Sequence, residues 1–302
     1  MDNLSAATRE GFRVALVTCA DIPELEDDDR LVVEPLAARG VRAEPVAWDA
    51  ADVDWAGYDL VVLRSPWDYV PRRDDFVAWA KTVPELLNPA DIIDWNTDKR
   101  YLEQLVGAGV PVVPTTWVEP GQEWIPPAAG EWVVKPAVSA GSKDTGRYDL
   151  LDADHRRLAV EHVARLQAAG RLVMVQPYLS AVDSVGETAL LYFVGPDGPV
   201  FSHAIGKGAM LTGPDLGVDG LYKEEKIEAR TATDAERAVA EQVLAAVPGG
   251  VNRLLYARVD LIPGPGGAPL LVELELTEPS LFLGYAPDAA ERLADAILVR
   301  LA

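Results

Sequence analysis

The sequence predicts an α/β protein that begins with a parallel sheet and ends in an antiparallel, hairpin-rich lobe. Three observations predict it. Val14 to Thr18 and Leu60 to Leu63 are short apolar runs separated by a stretch of helical spacing from Asp29 to Arg39 that stops at Gly40, which is the βαβ rhythm of a parallel sheet. Pro84, Pro89, Pro111 and Pro114 bracket a helix from about Thr97 to Ala108, ended by Gly109, as a junction would. Late in the chain, Thr188 to Val194 and Val200 to Ile205 flank the turn signal Gly195-Pro196-Asp197-Gly198.

Between junction and hairpins, a second lobe is expected from about Trp117. It offers a strand at Glu131 to Val134, a loop from Ser139 to Arg147, a helix from Asp154 to Ala169 ended by Gly170, and a strand at Leu172 to Gln176. Gly206 to Gly220, with five glycines, reads as a flap or a long loop. A further pair of strands surrounds Pro263 to Pro269, and a helix follows Pro287. The loop after the first strand, TCADIPELEDDD, has no glycine, so the turn that admits a dinucleotide pyrophosphate is missing.

Composition narrows the function classes. The 302 residues correspond to two domains, or one built of lobes, at roughly 150 residues each. Forty-eight acids against 27 bases give a net charge of -21, and such a surface repels nucleic acid and anionic lipid. The polar start MDNLSAATREGF and the lack of a long apolar run lead us to expect a cytoplasmic protein with no membrane span. One cysteine, Cys19, and three histidines cannot build the usual zinc or haem site, so any metal should be a hard ion on oxygen. His155 and His162 read as surface residues of a charged helix, and His203 as structural.

The strongest chemical signal is the hairpin around Pro263 to Pro269. Period-two alternation puts Arg258 and Asp260 on one strand face and Glu273 and Glu275 on the matching face of the next strand. Counting outward from the loop, Asp260 lies three residues before it and Glu273 four after it, so the two stand nearly opposite and Arg258 lies near Glu275. Three converging carboxylates repel unless a cation joins them, and magnesium suits such a donor set; an acidic face turned to water fits the same pattern. Of seven lysines, Lys135 ends an apolar strand and precedes Pro136, so its ammonium is aimed. The following loop, with Ser139 and Ser142, could close over phosphates, although Arg147-Tyr148 excludes a Walker A motif. Lys99 lies at the start of the junction helix, where anions are attracted. Arg64, followed by Trp67 and Asp68, lies at the carboxyl edge of a strand, where a guanidinium suits a substrate carboxylate; a surface turn is the other reading. Lys207 is a further candidate on the substrate side.

In order along the chain, these pieces resemble an ATP-grasp ligase. RSPWDY, WNTDKRYL, VVKPAVSAGS, VQPYL and VELELTEPSLFL are most similar to the branch containing the O-ureido-serine cyclo-ligase of cycloserine biosynthesis. The resemblance implies a preceding α/β domain (1–116), a small nucleotide lobe (117–180) and a large lobe with the metal hairpin (181–302). It implies ATP and Mg2+ as cofactors, Lys99 and Lys135 on phosphates, and Ser139 to Thr145 as a lid. Gln176, Pro177, Tyr178 and Leu179 would meet adenine, and Asp183 or Glu187 the ribose. Asp260, Glu273 and Glu275 would hold metal, with Arg258 and Lys135 catalytic. Two departures stand out: Glu275 replaces the usual asparagine, and Pro279 falls one residue late. The implied reaction joins a small-molecule carboxylate, held by Arg64 and Arg258, to an amine through an acyl phosphate, within one molecule or between two amino acids. A nucleotide-binding module without turnover is the non-enzymatic alternative. Homodimers are common in this family.

Overall fold

The computed structural model describes residues 11–215 and 226–301. The polar start at 1–10 and residues 216–220 of the expected flap lie outside the described residues.

Strands β1 (Phe12–Thr18), β2 (Val41–Ala47), β3 (Leu60–Ser65) and β4 (Leu86–Leu87) form the first sheet in the order β2-β1-β3-β4, with every pair parallel. β3 is buried at every position and the last five residues of β1 are buried, which is why both read as unbroken apolar runs. β2 is half polar and carries Pro45, tolerable because it is an edge strand; the expected elements omitted it for the same reason. The stretch expected as one helix over 29–39 is two, α1 (Asp27–Arg30) and α2 (Val33–Ala38). α3 (Arg73–Ala80) packs Phe76 and Val77 under the sheet.

The junction holds α4 (Ala90–Asn96) and α5 (Tyr101–Gly107). The helix expected from Thr97 starts only at Tyr101, and the Lys99 amide donates to Ala137 O across the junction at 3.0 Å. The second sheet has the order β5 (Thr116–Val118), β8 (Val173–Pro177), β6 (Glu131–Pro136), β7 (Gly146–Asp149), all antiparallel. Its helix α6 (Ala153–Ala168) is capped by Asp152, which accepts from the Asp154 and His155 amides. His162 on this helix is buried, not on the surface, and its Nδ1 lies 2.8 Å from the Tyr148 hydroxyl.

The third sheet runs β11 (Ile227–Arg230), β10 (Gly198–Lys207), β9 (Glu187–Gly195), β12 (Tyr256–Pro263), β13 (Pro269–Glu275), with α7 (Val182–Val185) leading into it. Two more helices cover it: α8 (Asp234–Ala245), started by a Thr233/Glu236 capping box, and α9 (Ala289–Arg300). One apolar core joins Val14, Leu16 and Val62 of the first sheet to Leu191 and Ile205 of the third through Leu293 and Ile297 of α9. The first and third sheets are thereby fixed to each other.

β13 is the outer strand, and the junction satisfies its free edge. The Leu271 amide donates to Pro111 O at 2.8 Å and the Val113 amide to Leu271 O at 3.0 Å. The Tyr101 hydroxyl accepts from the Leu274 amide at 2.8 Å and donates to Leu274 O at 3.0 Å. Asn96 donates to Leu274 O at 2.7 Å and accepts from the Leu276 amide at 2.8 Å. Buried backbone groups need such partners, and meeting that need brings Lys99 beside the hairpin.

Candidate active site

A cleft of about 510 Å³ opens between the three sheets. Its floor is the β12–β13 hairpin. The register pairs Asp260 with Glu273 and Arg258 with Glu275, through an irregularity between Asp260 and Leu261 that brings Glu273, one residue beyond Val272, opposite Asp260. Lys99, Lys135, Lys207 and Arg258 all line the cleft, each nine-tenths or more buried.

The acids and bases are paired inside the cleft. Lys207 Nζ lies 2.7 Å from Asp260 Oδ2 and also pairs with Glu187. Lys99 Nζ lies 3.0 Å from Glu273 Oε1 and donates to Ser139 O at 2.8 Å. Arg258 Nε lies 2.9 Å from Asp260 Oδ1, and its Nη2 pairs with Glu275. Among the described residues, no three His, Cys, Asp or Glu side chains are arranged as a metal cage. Lysine and arginine side chains stand against the hairpin carboxylates and offset their repulsion. Magnesium does not need a protein cage, since one or two carboxylates plus phosphate and water suffice. The carboxylates of Asp260, Glu273 and Glu275, each lining the cleft, fit that donor set.

Lys135 differs from the other lysines. It is the next-to-last residue of β6, is 9% exposed, and has no ion pair among the described residues. Burial pushes its pKa below the ordinary lysine value; Glu273 opposes the shift and Lys99 adds to it. Burial raises Asp260 too, yet Arg258 and Lys207 hold it well below the usual carboxylate range. Glu273 is also lowered: Lys99 and Lys135 outweigh its burial. Glu275 moves upward, because burial beside Asp260 and Glu273 outweighs Arg258.

The loop after β6 lines the cleft with Ser139 and Ser142, and Ser142 takes a left-handed φ of 55°. Gln176, Pro177, Tyr178 and Leu179 line another wall. Glu187 lines the cleft, whereas Asp183 is outside it, held by Tyr178 and by Arg147 at 3.1 Å.

Arg64 corrects the sequence reading most sharply. It is fully buried and does not line the cleft. Its Nε and Nη2 donate to Asp29 at 2.9 and 2.7 Å, Nη2 donates to Pro279 O at 2.8 Å, and the guanidinium lies over the Tyr256 ring. With those groups engaged, it braces the domain contact and cannot clamp a substrate carboxylate. Asp68 is likewise outside the cleft, accepting from Trp48 Nε1 at 2.8 Å and pairing with Arg72 at 2.6 Å. Trp67 does line it. So do residues the sequence reading did not single out: Glu26, Asp28, Tyr69, Asn96, Glu278 and Phe282. Tyr69 stands inside RSPWDY, and Glu278 directly precedes the late Pro279.

Comparison with known proteins settles the family. The chain is 40% identical to the cycloserine biosynthesis protein DcsG of Streptomyces lavendulae over 306 residues, covering 95% of this chain and 98% of that one. The chain belongs to the D-cycloserine synthetase family. The family model for the N-terminal domain of D-cycloserine synthetase DcsG matches residues 14–88. The crystal structure of D-cycloserine synthetase DcsG superposes with a TM-score of 0.82 at 38% identity, covering 96% of this chain and all of that one. The VanG D-Ala:D-Ser ligase of Enterococcus faecalis has a TM-score of 0.66 at 13% identity, covering 96% and 100% of the two chains. A RimK domain ATP-grasp protein of Sphaerobacter thermophilus has 0.64 at 20%, covering 94% and 98%. These last two share the fold alone. As a member of the D-cycloserine synthetase family, the chain is an ATP-grasp ligase that joins carboxylate to amine at the expense of ATP. Among the described residues, no helix is long and apolar enough to cross a membrane.

Proposed function

We propose that this chain is an ATP- and Mg2+-dependent cyclising ligase acting on a serine-derived amino acid of the O-ureido-serine type. A substrate carboxylate oxygen attacks the γ-phosphorus of ATP, the bond to the bridging oxygen breaks, and ADP leaves. A nitrogen of the same molecule then attacks the acyl carbon, the bond to phosphate breaks, phosphate leaves, and the nitrogen loses a proton to solvent.

The observation that carries this reading is Lys135, a buried ammonium with no described ion pair, facing a cleft that also contains Lys99 and Lys207. Burying an unpartnered cation is costly, and phosphate is the natural compensation. Arg258 is the cation nearest the hairpin acids and holds the substrate carboxylate. Asp260, Glu273 and Glu275 hold magnesium, which when bound supplies charge neutralisation at the phosphates. Gln176 to Leu179 form the adenine wall and Glu187 the ribose contact; Asp183, committed to Arg147 and Tyr178, braces that wall. The Ser139–Ser142 loop shields the acyl phosphate from water.

ADP release with each enantiomer of O-ureido-serine tests the reading. Lys135→Ala should cut turnover by about 100- to 1,000-fold, the usual effect of removing one transition-state donor. Unchanged turnover in that variant would defeat the site assignment. ADP release that requires a second amino acid would convert the enzyme into a two-substrate ligase.

A further inference from the structure

Glu278, directly before the late proline in Glu273-Leu274-Glu275-Leu276-Thr277-Glu278-Pro279, puts a carboxylate into the cleft. Three successive carbonyls fix its backbone. Trp67 Nε1 donates to Glu278 O at 3.1 Å, Arg64 Nη2 to Pro279 O at 2.8 Å, and Arg258 Nη1 to Ser280 O at 3.1 Å. The Tyr69 hydroxyl then donates to Glu278 Oε1 at 2.8 Å. The other oxygen has no partner among the described residues.

Two more acids, Glu26 and Asp28, line the cleft. Asp28 has both oxygens engaged, by the Leu283 and Gly284 amides at 2.8 Å each, and Glu26 accepts from the Asp28 amide at 2.7 Å through one of its two. Of the two acids that keep an oxygen, Glu278 is the one on the segment that Arg258 also holds. Arg258 reaches the same short segment, so a guanidinium and a free carboxylate oxygen stand at neighbouring points on one rigid strip. An α-amino acid carries the complementary pair of charged groups on a single carbon.

Resting on the function proposed above, we infer that Glu278 is the receptor for the substrate's protonated α-amine, with Tyr69 as its positioning residue. The carboxylate selects amino acids over simple carboxylic acids and turns the substrate so that its carboxylate meets Arg258. Preorganised groups of this kind act chiefly on binding.

The test compares O-ureido-serine with its desamino analogue, 3-(ureidooxy)propanoic acid, by ADP release in wild type, Glu278→Gln and Tyr69→Phe. In Glu278→Gln, KM for O-ureido-serine should rise roughly 10- to 100-fold, as expected for losing a hydrogen bond to a charged group, with kcat changed far less. KM for the desamino compound should not move, and Tyr69→Phe should show the same split in smaller measure. Equal losses on both compounds would make Glu278 merely structural, and no loss on either would overturn the inference. Should Glu278→Gln fail to fold, Tyr69→Phe and the wild-type preference between the two compounds decide it. If wild type turns over neither, the substrate reading fails separately. A screen of other α-amino carboxylates against their desamino counterparts then tests Glu278, and equal use of both members of every pair would overturn its role.

Discussion

Replacing Tyr101 with phenylalanine probes how the fold holds the acidic β12–β13 hairpin. Tyr101 does not line the cleft; its hydroxyl serves both backbone groups of Leu274, the residue between Glu273 and Glu275. Tyr101→Phe leaves a buried N–H without its partner and weakens the satisfaction of a carbonyl that Asn96 still reaches at 2.7 Å. At ~1–3 kcal/mol for an unsatisfied buried group, with the carbonyl partly covered, the loss should be about 2–4 kcal/mol. A chain of this size loses roughly 2 °C of melting temperature per kcal/mol, so a drop of ~4–8 °C is expected by calorimetry. Because β13 also places two acids, a displacement of ~1 Å would lower kcat by up to 100-fold, equally for every substrate. Hydrogen exchange at the Leu274 amide should accelerate in parallel. A variant that melts within 1 °C (roughly 0.5 kcal/mol) of wild type, with its Leu274 amide still protected, would refute the idea that this hydroxyl closes the sheet edge.

Two other outcomes follow from buried charges. Arg64→Met should destabilise the fold by about 3–5 kcal/mol, because it strands Asp29 in the interior; Asp29→Leu combined with Arg64→Met should recover most of that in a thermal melt, and a double variant as unstable as the single one would contradict the pairing. Burial, with Arg165 adding, lowers His162 from its ordinary value to about 4. The unfolded chain therefore binds a proton that the folded chain refuses. Stability from this group is complete above about pH 6.5 and falls as pH drops toward 4, by up to ~3 kcal/mol. Urea melts at pH 7 and 4.5 should show a smaller acid loss in His162→Leu than in wild type.

Side-chain alternation of period two made it legible that Arg258 and Asp260 share one strand face and Glu273 and Glu275 the facing one; the irregularity between Asp260 and Leu261 that sets Asp260 opposite Glu273, where a regular count from the loop would give Val272, was not legible. Lys135 was legible for a similar reason, since an apolar strand before proline leaves its last side chain little freedom. Arg64 was not. Its place near the end of β3 indicates a location near ligands, but Asp29, which engages the guanidinium, lies 35 residues earlier in the short acidic helix α1. His162 was misjudged because its neighbours in sequence are charged, while its buried face depends on Tyr148 across β7. The counter-charges to the hairpin acids were hidden too: Lys99 and Lys207 come from the junction and from β10, and only the packing of three sheets brings them to β12 and β13.

The salt-bridged floor of the cleft has a consequence for discrimination among anions. A polyanion arriving alone would draw Lys99 and Lys207 away from Glu273 and Asp260, leaving bare acids in a dry place. A polyanion escorted by a dication re-partners both sets at once, with electroneutrality kept throughout. On the proposed function, such a floor would favour the metal chelate of a nucleotide over the naked polyanion.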